Sequence, residues 1–555
     1  MNHRVGSVTG LSIIALALVA AAPYPESGDA VVASDHALAS QAGIQVLKAG
    51  GNAVDACVAT ALAAGVVQPA GSGLGGGGFA VWSIGGEYGT LDFREMAPAE
   101  AHPELFQDAD GNVMEGASRR GGLAVAIPGE PRGLAWLVRE HGALTLPQVA
   151  KPAARLGIRG FELGPHLAGA LERTSYDSIS AAFPQDHRPG TWVQRRDLGK
   201  AIQRWSRSDG ESLNVGRDAE RIAAAAQEAG GILTSQDLAS YEVRVREPIV
   251  VPFGDYTVVS MAPPSSGGVV LAQVLQVLAQ DDLPALGVNS SAYIHRVTEA
   301  FKHAYADRAR VLGDPDFVEV PFDELLEPAR IEAVRDAFDP DHTLPTQAYG
   351  IGGQLPEDHG TQHISVIDAN GDACALTTTV NTSFGSGVVV PDVGIILNNE
   401  MDDFVAKPGV PNAYGLVGGE ENAVQAGKRP LSSTTPTLLL DGDGQVVLSI
   451  GASGGSTIIS SVAQVLLNVM VFDMDPQGAV AAPRFHHQWK PEVLFLEPGI
   501  PTDVVRALEE RGHTVDVRGG YSAVQAVARE GDVLQGGADP RKAGWPAALW
   551  MDRLR

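Results

Sequence analysis

Apolar and polar positions along this chain change period several times, and the changes mark its elements. From Ser34 to Val67 apolar residues recur at helical spacing, broken once at Gly50-Gly51. The glycine-rich stretch GSGLGGGGF, residues 71 to 79, then leads into FAVWSI, which reads as a strand. Residues 130 to 345 carry mostly helical patterns interrupted by prolines. At Thr361 the period falls to two: His363, Ser365 and Ile367 alternate with Ile364, Val366 and Asp368. A turn at ANGD, residues 369 to 372, joins this strand to a second, ACALTTTV, in a hairpin-like pair. After a Gly- and Pro-rich stretch at 407 to 430, QVVLSI reads as a strand, GASGGS as a loop and TIISSVAQVLLNVMVF as an apolar helix. The expectation is a mixed α and β protein, with helices gathered early and strands late.

Composition narrows the classes. Of 555 residues, 44% are hydrophobic and 19% charged, enough apolar material for a large core. The formal net charge of −26 argues against nucleic acid, whose phosphates need a basic surface. The first 22 residues read as an export signal: His3 and Arg4, an apolar run from Leu11 to Val19, then Ala20-Ala21-Ala22 as a small-residue cleavage site. That run is too short to span a bilayer, and no cysteine follows it to carry a lipid. The expectation is a periplasmic or secreted protein with no membrane anchor after signal removal. Cys57 and Cys374, the two cysteines, read as buried small hydrophobes.

Three short patterns suggest chemistry. GSGLGG at 71 to 76 matches a dinucleotide fingerprint, but a helix pattern precedes it and a strand follows, the reverse of the required context. It reads instead as a tight connection. GASGG at 451 to 455 matches a nucleophile elbow with Ser453 as nucleophile, followed by Asp473 and His486 in the order of an α/β-hydrolase triad. The alternating strands and helices expected before such an elbow are missing. A second reading of the same residues uses backbone: Gly454 and Gly455 at a helix start aim N–H groups at an anion, as in an oxyanion hole. The third pattern is Gly360-Thr361 at the head of a strand. Cutting the bond before Thr361 would free an α-amine to serve as base for its own hydroxyl.

At TQHISVID, TTTVNTSFGSG and GIILNNEMDDF the sequence resembles the γ-glutamyltransferase (glutathione hydrolase) family of N-terminal-nucleophile hydrolases. ASDHALASQAGIQVLKAGGNAVDACVA, LDFREMAP, KRPLSS, GASGGS and PRFHHQW extend the resemblance over nearly the whole mature chain. It implies an α+β fold, a four-layer αββα sandwich. It also implies one precursor that cuts itself at Gly360-Thr361 into a large subunit, 23 to 360, and a small subunit, 361 to 555. Thr361 matches the nucleophile and Thr379 the threonine that hydrogen-bonds it; Gly454 and Gly455 match the oxyanion pair. Arg94 matches the residue that binds the substrate α-carboxylate, joined by Ser432 and Ser433. Asp403 matches the carboxylate for the α-ammonium, Asn381 and Glu400 match further binding positions, and Tyr414 falls at a lid tyrosine. The implied donors are glutathione and other γ-glutamyl compounds, with water, amino acids or peptides as acceptors and no cofactor. Gln362 and Ser453 depart from the commoner family residues without replacing a catalytic group. His486-His487 reads as packing rather than a metal site. A cephalosporin acylase and a poly-γ-glutamate hydrolase of the same fold remain as alternatives. The retained Arg94 and Asp403 speak against the first, and a full lid over 406 to 427 against the second.

Overall fold

The computed structural model describes residues 26–349, 360–520, 522–542 and 544–551. The proposed export signal lies outside them. Two seven-stranded sheets form the centre. One runs Ser27–Gly28, Val533–Ala538, Ala523–Glu530, Val446–Ser453, Thr437–Leu440, Tyr256–Ser260, Ile249–Phe253. The other runs Ala547–Leu549, Ala30–Ser34, Thr361–Ile367, Ala373–Thr379, Gly77–Ile84, Glu87–Phe93, Arg244–Arg246.

Alternation along the strands builds four layers. Val31, Ala33, Phe79, Val81, Ile367 and Ala375 face the other sheet, where Val259, Leu438 and Val527 meet them. Their neighbours Val32, Ala80, Ile364, Val366 and Leu376 point outward into helices Ala37–Lys48 and Ala53–Val67. On the opposite side Leu439, Leu448, Ile450 and Val524 pack against Gly267–Leu278, Ser291–Val311 and Ile458–Met470. The result is the expected αββα sandwich. Helix Ala53–Val67 is buried at every position, which explains why its pattern shows no polar face. Asn52 and Asp55 close its first turn as a reciprocal capping box.

The stretch 130 to 345 is mostly helical, as expected, but it also holds strands that the helical reading did not separate, Arg244–Arg246, Ile249–Phe253 and Tyr256–Ser260. Ile249, Val251 and Phe253 are buried while Val250 and Pro252 are exposed, and Gly254-Asp255 turns the hairpin with Gly254 at φ 58°. This is period-two patterning in a run too short to stand out among helices. Likewise the strand after Gln445 does not stop at Ile450. It continues through Gly451, Ala452 and Ser453, which pair with Gln525, Val524 and Ala523. Gly451 lies flat on the His363 ring, where a Cβ would come within 2.3 Å of Cε1.

The glycines of 71 to 79 form the tight connection their context predicts. A Cβ at Gly75 would meet the Ile396 carbonyl oxygen at 2.0 Å, and one at Gly76 the Thr379 carbonyl oxygen at 1.9 Å. Backbone therefore packs on backbone directly beside the strand that carries Thr379. Cys57 and Cys374 are both buried and free.

Candidate active site

Strand register makes the first contact of the site. Thr361 and Thr379 head and end adjacent antiparallel strands and are direct partners across the ladder. A slip by one residue would turn one of them to the opposite face. The hairpin between them is held by Asp368, whose Oδ1 accepts from the N–H groups of Asn370 and Asp372.

Donor counting orients the two hydroxyls. Thr379 Oγ1 donates its single proton to the Gly360 carbonyl at 2.6 Å and accepts from the Asn381 N–H at 2.8 Å. Its remaining capacity is as an acceptor, so the Thr361 hydroxyl, 3.2 Å away, is the donor to it. Thr379 thus polarises the carbonyl before Thr361 and fixes the Thr361 hydroxyl at once. Position 360 admits only glycine, since a Cβ there would lie 2.0 Å from the Asn381 carbonyl oxygen. Behind the strand, Lys542 Nζ donates to the Thr361 carbonyl at 3.1 Å and to Ser453 Oγ at 2.5 Å.

Gly454 and Gly455 follow, at the start of a 3₁₀ turn that runs into helix Ile458–Met470. Their φ values, 142° and 55°, lie in the region that favours glycine. No acceptor among the described residues takes the N–H of either. The Tyr414 ring covers Gly455, where a Cβ would be 2.4 Å from it, and the Tyr414 hydroxyl donates to the Asn381 carbonyl at 2.6 Å.

The charged wall is assembled from distant segments. Arg94 is 1% exposed and pairs with Glu400 and, at 2.5 Å, with Asp403. Its Nε donates to the Pro430 carbonyl, and the Tyr241 hydroxyl donates to the Arg94 backbone carbonyl. Asn412 and Asn422 donate to the Asp403 side chain and backbone. Burial raises the Glu400 and Asp403 carboxyls above their ordinary range, with Arg94 pulling both the other way. Burial also holds Glu95 up at about 7 and Glu130 at about 8.

Arg94, Thr361, Thr379, Asn381, Glu400, Asp403, Tyr414, Ser432, Ser433 and Gly455 all line one cavity. Every site residue that the family resemblance implies is therefore in it or, for Gly454, beside it. Sequence reasoning missed Arg308, which donates to Ser433, and Lys542. Neither stands in a pattern that marks chemistry, and only folding brings them near. A larger cavity between Gln280 and Pro340, about 620 Å³, holds none of these groups.

The Ser453 triad is not assembled. Ser453 Oγ contacts Lys542 and the Ala523 carbonyl, whereas His486 bonds Ser460 and Gln488. The strand that carries Ser453 lies in an antiparallel neighbourhood, not the parallel sheet of an α/β-hydrolase. His486 is held by packing partners, as the packing reading expects. One His-Glu-His cluster, His295, Glu299 and His513, lies elsewhere. Its rings bond each other directly at 2.7 Å and Glu299 is occupied by Lys302 and Thr343, which accounts for the three without an ion.

A family model described as gamma-glutamyltranspeptidase matches residues 39–549. The glutathione hydrolase proenzyme of Escherichia coli is 40% identical over 524 residues, 92% of this chain and 90% of that protein. Glutathione hydrolase 2 of Arabidopsis thaliana is 35% identical, covering 93% of each. Among solved structures, a cephalosporin acylase from Bacillus halodurans superposes with a TM-score of 0.83 at 28% identity, over 95% of this chain and 97% of that one. A Helicobacter pylori gamma-glutamyltranspeptidase chain superposes with a TM-score of 0.55 at 39% identity, over 56% and 92%. The acylase shares the whole architecture, but the sequence stands nearer the transpeptidases. The chain belongs to the gamma-glutamyltranspeptidase family.

Proposed function

We infer that this enzyme cleaves the γ-glutamyl amide of glutathione and related compounds and passes the glutamyl group to water, amino acids or peptides. The observation that carries this reading is the meeting, in one cavity, of a cation–anion pair and a threonine pair. A γ-glutamyl donor is a zwitterion at one end and an amide at the other. Arg94 with Ser432 and Ser433 suits its carboxylate, because the guanidinium fork binds both oxygens. Asp403 suits its ammonium, and Glu400 and Asn381 line the space between.

The precursor matures first. Thr361 Oγ attacks the Gly360 carbonyl, whose oxygen already accepts from Thr379. The peptide nitrogen becomes the Thr361 α-amine, and water hydrolyses the resulting ester, leaving large and small subunits. The new amine, with an ordinary pKa of roughly 7.7 to 8.0, then takes the hydroxyl proton of Thr361 as it attacks the substrate amide. The oxyanion gathers at the N–H groups of Gly454 and Gly455. The proton passes to the leaving amine and a γ-glutamyl ester remains on Thr361. Water or an acceptor amine attacks that ester and restores the hydroxyl.

No helix among the described residues is long and apolar enough to cross a membrane. The N-terminal pattern of the sequence is what supports export to the periplasm or beyond. The test of function is turnover of a γ-glutamyl anilide against a glutaryl anilide, which keeps the carboxylate but lacks the ammonium. Preference for γ-glutamyl is expected; preference for glutaryl would favour the acylase reading.

A further inference from the structure

Helix Ser291–Val311 sends one cation under the serine pair. Arg308 is 5% exposed and forms no ion pair among the described residues. Its Nε donates to Ser266 Oγ at 2.8 Å and its Nη2 to Ser433 Oγ at 3.3 Å. Ser266 in turn donates twice to the Ser432 carbonyl, from Oγ at 2.7 Å and from its N–H at 2.8 Å. Arg308 thus braces both members of Ser432-Ser433 through separate bonds.

A guanidinium only donates, so Ser433 Oγ must accept from it. The Ser433 proton is thereby left to point elsewhere, and the cavity is where a carboxylate would take it. The charge matters as well. A buried cation without a bonded anion is costly. The charged and titratable groups that face Arg308 are Arg94, of like charge, with Asp403 and Tyr305. Asp403 is itself bound to Arg94. A substrate carboxylate arriving at Ser433 would supply the counter-charge that Arg308 lacks.

We propose that Arg308 is a positioning residue that makes the pocket select donors bearing an α-carboxylate, by orienting Ser433 and adding a second positive charge behind it. This rests on the γ-glutamyl reading of the site. The test uses the processed enzyme and three anilides: γ-glutamyl, glutaryl (carboxylate without ammonium) and 4-aminobutyryl (ammonium without carboxylate). Arg308→Met should lower kcat/KM about 10- to 100-fold for the first two, chiefly through KM, and leave the third near wild type. Arg308→Lys should recover part of the loss by keeping the charge. Equal losses on all three substrates, or no loss on any, would overturn the proposal. If the methionine variant does not fold or process, the lysine variant carries the same comparison: it must lose selectively on the two carboxylate substrates. A wild-type enzyme inert toward γ-glutamyl anilide would overturn the function itself, a different result from any of these.

Discussion

The two ends of the cavity are built by different physics. At the nucleophile end the two hydroxyls are neutral groups held by regular structure: Thr361 and Thr379 are ladder partners 18 positions apart, joined by one hairpin, with the Lys542 cation only behind the strand. The recognition end uses charges from outside the sheets: Arg94, just past a strand, meets Glu400 and Asp403 of one 3₁₀ turn across 306 and 309 positions. Short-range geometry suits a hydroxyl that must sit within a fraction of an ångström of its target. Buried charges need something else, a surrounding shell from several segments to offset their desolvation. A carboxyl bonded to one of the nucleophile strands conforms: Glu130, bound by the Thr378 hydroxyl, is raised to about 8 by burial and so is largely neutral at pH 7.

If the ends are separable, each should fail alone. Thr361→Ala should leave one unprocessed chain on a denaturing gel and lower turnover on the order of 10⁴-fold or more. An active single chain would break the comparison at its first term. Arg94→Ala should still process, because the scissile bond of the precursor carries no free α-carboxylate. Its kcat/KM for a γ-glutamyl anilide should fall about 30- to 4,000-fold. Failure to mature would show that the recognition end also folds the nucleophile end.

The neutral character of the nucleophile end is tested by stability. The Glu130 carboxyl binds its proton more tightly in the folded state, about 8 against an ordinary 4.5. Its contribution is therefore full below pH 4.5 and is lost as pH rises toward 8. Between pH 5 and pH 7 that loss is about 2 kcal/mol. Glu130→Gln should remove it, seen as unfolding midpoints in urea that differ less between the two pH values than in the wild type. An unchanged difference would mean Glu130 is ionised beside the threonines. The smallest effect is expected at Ser453. Ser453→Ala keeps the backbone of Gly454 and Gly455 and should change kcat/KM by about threefold at most, where loss of a nucleophilic serine costs on the order of 10⁶.

Much of this was legible beforehand, and for a reason that follows the same division. The alternation from Thr361 to Asp368 and the ANGD turn identify the hairpin, because strand period and turn chemistry are local properties. The hairpin Ile249–Phe253 and Tyr256–Ser260 is not legible in the same way, because five-residue strands between helices leave a weak periodic signal. The site residues were legible through motif resemblance. Arg94 by itself, in DFRE, is indistinguishable from a solvated surface charge.

By itself, then, the sequence determined the strand pair that aligns Thr361 with Thr379 and the glycines that let backbone approach backbone beside it. Those depend on period, turn residues and the absence of side chains, all written within a few tens of positions. Only the tertiary structure decided that Arg308 stands bonded to Ser433 and that Lys542 reaches the Thr361 carbonyl. Both are long, donor-only side chains whose partners lie 125 and 181 positions away. Which acceptor such a side chain finds is set by how the sheets and helices pack, and no local pattern records it.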